Sequence, residues 1–411
     1  MRLLHKFARF KRRKDLAIRL SVFYAAVFLI VGSYSSFLPL WLSAAGLNET
    51  RISLIYALPV MLRPVFTTGL SFFADRSGHH VRLLKILAWG ALLSVAILPF
   101  SAGFATIFVA FTLFALFWTT VIPLTEAVAL AAARSGSADY GRVRLWGSLS
   151  YIAVILAGGA AVQTFGPPAA LWLFLSAAAS VVVAAQFLPD MRAVNGSATH
   201  ASAIAVPTIR LADLAALARL PVLWMFLAAT SAVQATHAVY YIFGTIHWTS
   251  SGIAPSVIGA LWSIGVVAEV ALFAYAAQVA RRIGPVQLIL IGGLAAFVRW
   301  SLTSFDPPLA VLFGLQLLHG LTFGATHLGA MQFIIRAFPA HMAATAQGLN
   351  ASFSAGLAMG CAYLAAGPLY RSFGAMAYLG MAAISLVAIG ASILLLLRWN
   401  GGSVLSAPHG R

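Results

Sequence analysis

Acidic side chains are scarce: Asp and Glu account for nine of 411 residues, and charged residues of both signs for 9%. Soluble domains carry roughly a quarter charged residues, so most of this chain's surface does not face water. Cysteine is scarcer still. Cys361 stands alone, which excludes an intrachain disulfide framework and leaves the redox compartment unread. No His-Glu-x-x-His or comparable metal-type spacing occurs, which removes one common signature of an intramembrane enzyme.

What fills the space is hydrocarbon. Hydrophobic residues make up 61% of the chain, and the mean hydropathy is +0.93. Runs long enough to cross a bilayer, about 20 residues each, fall at 20–42, 51–73, 83–103, 105–133, 143–164, 169–188, 221–247, 256–280, 285–304, 308–336, 344–369 and 374–397. This pattern predicts an all-α integral membrane protein with twelve transmembrane helices. The first run continues to Leu42, too long for the apolar core of a cleaved signal.

The net charge of +17 raises nucleic-acid binding, and its distribution argues against it. Apart from Arg63, Arg144 and Arg299 inside the runs, alternate loops hold every Lys and Arg except Arg51 and Arg371. That asymmetry sets topology. It predicts an inner-membrane protein with both termini and the 189–220 linker in the cytoplasm. The basic N-terminal residues 1–19 then anchor to lipid headgroups, since a polynucleotide site would interleave aromatics on a folded basic face.

The linker 189–220 is the one long polar interval and separates a bundle at 20–188 from one at 221–397, with a tail at 398–411. An offset of 206 lays "LSAAGLNETRISLI" over "WTSSGIAPSVIGAL", Gly46 over Gly252, and "ADRSG" over "ARRIG". Two matches at one offset and one topological place indicate duplication, as in six-plus-six transporters. The same offset makes Glu269 the mate of Arg63.

Glu126 and Glu269 are the two carboxylates inside the runs. A charge at mid-membrane costs about 2.5–3.5 kcal/mol on insertion scales, so such groups face a cavity and find partners. Glu126 and Arg144 flank the short loop 134–141 and are placed to pair. Arg299 is the cation expected to answer Glu269, with His319 and His237 as softer partners. Helical spacing gathers Thr230, Gln234, His237 and Tyr241 on one face, Gln316, His319, Thr322 and Thr326 on another, Arg144, Ser148 and Tyr151 on a third, and Gln347, Asn350 and Ser354 on a fourth. His247 and His327 read as structural. A carboxylate poised between burial and a nearby cation can exchange a proton, which is the role expected of Glu269.

The loop "SFFADRSGHH" resembles the Gly-x-x-x-Asp-Arg-x-Gly-Arg-Arg signature of the major facilitator superfamily, with Ser71 for the first glycine and His79 and His80 for the arginine pair. In that motif Asp75 and Arg76 form a conformational latch. The segments "DYGRVRLWGSLSY", "QATHAVYYIF", "LWSIGVVAEVALFA", "FVRW" and "LQLLHGLTFGATHLGAMQ" resemble the phenylpropionate permease group of that superfamily, itself similar to lactose permease and nucleoside/proton symporters. The resemblance implies two pseudo-symmetric six-helix bundles rocking about a midplane cavity. It implies substrate contact at Glu126 and Arg144 and an aromatic platform at Tyr151. Coupling or binding roles follow for Glu269, Arg299 and His319. The tenth helix departs from the sugar carrier by having Gln316 and Thr322 where that carrier has Lys and Glu.

The resulting expectation is a monomeric carrier, with no cofactor beyond a coupling proton, that imports a small organic acid such as an aromatic carboxylate. Substrate contacts are expected from Glu126, Arg144, Tyr151, His237, Tyr241, Arg299, His319 and Asn350, and proton coupling from Glu269, Arg63 and His319. A sugar or nucleoside symporter is the nearest alternative. A drug antiporter is less favoured because the fifth run has Gly158 and Gly159 without a Gly-Pro pair, and an intramembrane enzyme does not need the repeat. A green fluorescent protein fused after Arg411 should fluoresce; a dark fusion with the protein present in the membrane would reverse the topology.

Overall fold

The computed structural model describes residues 2–134, 137–189 and 217–404, which form helices and connecting turns with no strand among them. Most of the expected linker, with Asp190 and Asp213, lies outside the described residues, as does the end of the tail. Ten helical segments are single spans: Asp15–Ser36, Glu49–Ala74, His80–Phe100, Phe104–Ala133, Tyr140–Phe165, Pro168–Gln186, Pro221–Ser250, Pro255–Ala274, Pro285–Thr303 and Leu309–Ala337. The remaining one, Thr345–Arg398, has 54 residues, about 80 Å if straight against a hydrocarbon core of roughly 30 Å. It breaks at Gly374, whose φ of +54° turns the chain back, so it supplies the eleventh and twelfth spans.

The chain divides into two compact units, one of Met1–Thr199 with Trp248–Ala260 and one of His200–His247 with Leu261–Arg411. In the first, span one packs on spans five and six, and span three on spans four and six. In the second, span seven packs on spans eleven and twelve, and span nine on spans ten and twelve. The internal pairing is therefore repeated. Gly46 and Gly252, aligned by the 206-residue offset, have φ of +84° and +82°, a region that side chains with a Cβ rarely adopt.

Local chemistry explains where helices start and bend. The Asn48 side chain accepts the Arg51 N–H at 2.9 Å and the Asp139 side chain that of Arg142 at 3.0 Å, satisfying donors that a helix start leaves open. The first span ends at Ser36 and the helix resumes at Leu38–Ala44 with Pro39 in its first turn, where a missing N–H costs nothing. The fourth span breaks between Trp118 and Val121. Pro123 cannot donate to the Thr119 carbonyl and its ring crowds that oxygen; the Thr67 hydroxyl lies 3.0 Å from that of Thr119 at the same place. The seventh span breaks at Thr236–His237. There the His237 N–H bonds the Gln234 carbonyl at 3.2 Å, and the imidazole takes the Val233 carbonyl at 3.1 Å instead. Spans ten and eleven contain π-helical turns at Gly320–Ala325 and Ser352–Ala358.

Phe100, Phe165, Ile335 and Leu397 are exposed, as lipid-facing positions must be when hydrocarbon is the solvent. A Cβ at Gly46 or Gly252 meets no atom within 4 Å, so replacement by Ala strains only the backbone. Each substitution should lower stability by about 1 kcal/mol, read as a lower midpoint of thermal unfolding in detergent. An unchanged midpoint for both would show that neither turn depends on its left-handed conformation.

Candidate functional site

The expected site residues fall into two groups, one in each unit. In the first unit, the Arg144 Nη1 lies 2.5 Å from the Glu126 Oε1, and the Tyr140 hydroxyl donates to Glu126 Oε2 at 2.5 Å. The bend at Pro123 turns the last turns of span four toward the start of span five, where Asp139 caps the helix that carries both Tyr140 and Arg144. Both carboxylate oxygens are thus engaged. Tyr140 was not among the expected residues, yet it precedes Arg144 by four positions and so shares its helix face. Tyr151, the expected platform, has its hydroxyl 3.3 Å from that of Ser35.

Arg63 lies apart from this pair. It is exposed and shares a cleft of about 570 Å³, counting the open mouth, with Tyr34, Tyr56, Phe111, Phe114 and Trp118. Asp75, the first member of the expected latch, has a side chain outside the described residues, while Arg76 is exposed in the last helical turn before Gly78.

The second unit holds a buried network around Arg299, which is fully buried. Its Nη2 donates to Gln316 Oε1 at 2.7 Å, and its Nη1 to His319 Nδ1 at 3.2 Å and to the Thr322 hydroxyl at 3.4 Å. The guanidinium carbon sits 4.7 Å from the ring centre of Tyr240 and 4.4 Å from that of Trp300, close enough for cation–π attraction. Arg299 therefore does not pair with Glu269, as its place in the sequence had suggested. His319 comes between them, with Nε2 3.9 Å from Glu269 Oε2. Gln316, His319 and Thr322, spaced three apart on span ten where the α-helix passes into a π-helical turn, all bond the guanidinium, and His319 lies between it and the carboxylate on span eight.

The proton positions follow from donor chemistry. Guanidinium has no acceptor, so His319 Nδ1 offers its lone pair to Arg299 and neutral His319 carries its proton on Nε2, toward Glu269. His237 is the opposite case. Its Nδ1 faces the Val233 and Gln234 carbonyls at 3.1 and 3.3 Å, which only accept, so Nε2 receives the Thr322 hydroxyl at 3.1 Å. Thr322 thereby links Arg299 to His237. Tyr241 stacks on His237 with ring centres 5.4 Å apart. Asn350 is not part of this network; its Oδ1 lies 2.7 Å from the Thr230 hydroxyl, two turns before His237.

Spans eight and ten approach closely through glycine. A Cβ built on Gly320 would stand 2.9 Å from the Ala268 carbonyl oxygen, and one on Gly265 would stand 3.3 Å from His319 Cβ. Small residues at such crossings let backbones approach in lipid, and here they hold His319 beside Glu269. Sequence spacing identified the polar stripe of span ten; the ring faces of Tyr240 and Trp300 were missed because an aromatic beside a histidine or arginine reads equally as core.

A model of the MFS_1 like family matches residues 17–380. A probable 3-phenylpropionic acid transporter of Escherichia coli (strain K12) is 31% identical over 318 residues, 77% of this chain and 81% of that protein. Among solved structures, nucleoside transporter NupG superposes with a TM-score of 0.79 at 16% identity, covering 94% of this chain and 100% of that one. A D-xylose-proton symporter superposes with a TM-score of 0.67 at 14% identity, covering 94% and 97%.

Removing the Gln316 acceptor as Gln316→Leu leaves a donor of a buried cation unsatisfied, at a cost of about 2 kcal/mol. The variant should unfold at clearly lower temperature in detergent; an unchanged transition would mean that Arg299 does not depend on Gln316.

Proposed function

Because the chain belongs to the MFS_1 like family, a family of membrane transporters and not of enzymes, we propose that it carries a small organic acid into the cell together with a proton, across an inner membrane with both termini cytoplasmic. The observation that carries the proton assignment is the line Arg299–His319–Glu269. Arg299 fixes the His319 tautomer, and the remaining imidazole proton points at the Glu269 carboxylate across 3.9 Å. When Glu269 is charged, that proton has an acceptor. When Glu269 is protonated, the attraction is lost and spans eight and ten are released from one of their polar ties. A membrane-embedded carboxylate whose charge alternates in this way is the device a proton-coupled cycle requires.

The acid class rests on charge balance and on a relative. Two guanidiniums, Arg63 and Arg299, lie well inside the spans and a third, Arg144, one turn inside span five, against two carboxylates, Glu126 and Glu269, and the excess positive charge suits an anionic cargo. The 31% identical relative bears the name of a probable 3-phenylpropionic acid transporter. A single chain is sufficient for this reading.

Cells expressing the protein should accumulate labelled 3-phenylpropionate faster at acidic than at alkaline external pH, and a protonophore should abolish the accumulation. Glu269→Gln should lose uphill accumulation and keep exchange of internal for external substrate. Undiminished proton-driven uptake by that variant would discard the coupling role, and saturable uptake of a sugar or nucleoside in place of the acid would discard the substrate class.

A further inference from the structure

The three intramembrane guanidiniums are not equivalent. Arg144 is matched by Glu126 at 2.5 Å. Arg299 is fully buried, with its two Nη atoms donating to Gln316, His319 and Thr322, its Nε without a partner among the described residues, and ring faces supplied by Tyr240 and Trp300. Arg63 has neither kind of cover: it is exposed, and among the described residues it makes no hydrogen bond and no ion pair. A cation at membrane depth is costly and persists where something meets it. Among the described residues of its unit, none bonds to it or pairs with it.

The walls around Arg63 say what that something is. Beside the guanidinium the cleft is lined by Tyr34, Tyr56, Phe111, Phe114 and Trp118. Phe111, Phe114 and Trp118 recur at spacings of three and four, a continuous ring-bearing stripe on span four. The rings brace one another. Tyr56 and Phe111 are 5.1 Å apart, Phe111 and Phe114 5.7 Å, and Phe114 and Trp118 6.0 Å.

Two hydroxyls of the wall are already committed, while the buried Trp118 indole N–H has no partner among the described residues. The Tyr56 hydroxyl donates to the Tyr34 carbonyl at 3.0 Å, and the Thr119 hydroxyl lies 3.0 Å from that of Thr67. A sugar, with several hydroxyls, would surrender more hydration here than the Trp118 indole N–H and the few polar atoms of the wall could replace, and each hydroxyl left unpaired counts against it. A flat apolar body with one negative end loses little and gains the guanidinium.

We infer that the cleft between spans one, two and four is the substrate site for an aromatic monocarboxylate, with Arg63 as the receptor of the carboxylate and Tyr34, Phe111, Phe114 and Trp118 as the bed for the ring. This rests on the reading of the chain as a carrier of small organic acids and assigns that cargo's charge to Arg63, leaving Arg144 to its pair with Glu126 and Arg299 to the proton network. A carboxylate on a guanidinium makes paired charge-assisted hydrogen bonds, so the site should favour the anion over a neutral analogue of the same shape.

The test is equilibrium binding to the purified full-length protein in detergent, with 3-phenylpropionate and its primary amide as probes. Wild-type protein should bind the acid saturably and the amide roughly 10- to 100-fold more weakly. Arg63→Gln should lose affinity for the acid by a similar factor and bind acid and amide alike, while Arg63→Lys recovers part of the difference. Ala115→Leu, which fills the cleft and leaves the charge in place, should weaken both probes together, and this second variant keeps the result readable if Arg63→Gln does not fold. Arg63→Gln and Ala115→Leu proteins that bind the acid like wild type would overturn the site and leave the transport reading standing. Wild-type protein that is folded and binds neither probe would overturn both.

Discussion

Hydrocarbon offers no hydrogen-bond partner, and that one constraint organises the interior of this protein. Each charge placed at membrane depth has to find a counterion, a set of dipoles or a ligand. Arg144 has the first, in Glu126. Arg299 has the second, in an amide carbonyl, an imidazole lone pair, a hydroxyl and two aromatic faces. Arg63 has neither among the described residues of its unit, and in our proposal that difference leaves it to cargo.

The Arg299 network also shows how a cation can set the state of a neighbour without pairing with an acid. Because guanidinium only donates, it dictates which imidazole nitrogen of His319 holds the proton, and hence that a donor faces Glu269. Thr322 passes the same directionality to His237, whose other nitrogen is fixed by the Val233 and Gln234 carbonyls where span seven breaks. The order of donors and acceptors is therefore determined from Gln316 to Val233, and Glu269 stands at its edge, where we propose that protonation changes the pattern. The π-helical turn at Gly320–Ala325 and the glycines facing span eight bring that edge within reach.

Breaks in the helices do comparable positioning elsewhere. The break just before Pro123 in span four lies within two turns of Glu126, which meets the start of span five, and the helix is likewise interrupted just before Pro39 at the end of span one. Such bends are tolerated in a bilayer because side-chain hydroxyls and neighbouring helices take up the freed carbonyls.

Spans, duplication and the charged residues inside the spans were legible in the amino-acid order, because hydropathy accumulates over 20 or so adjacent residues and a repeat survives as aligned turns such as Gly46 and Gly252. The pair Glu126–Arg144 was legible too, since a short loop brings its two helices side by side. Partnership across distant helices was not. Glu269 had Arg299 as its arithmetic counterion, and only the packing of spans eight, nine and ten decided that His319 would stand between them. Nor could sequence distinguish an occupied guanidinium from an available one. That depends on which side chains of other helices fill the few ångströms around it, and helix rotation and crossing, set by the packing of the whole unit, fix that distance.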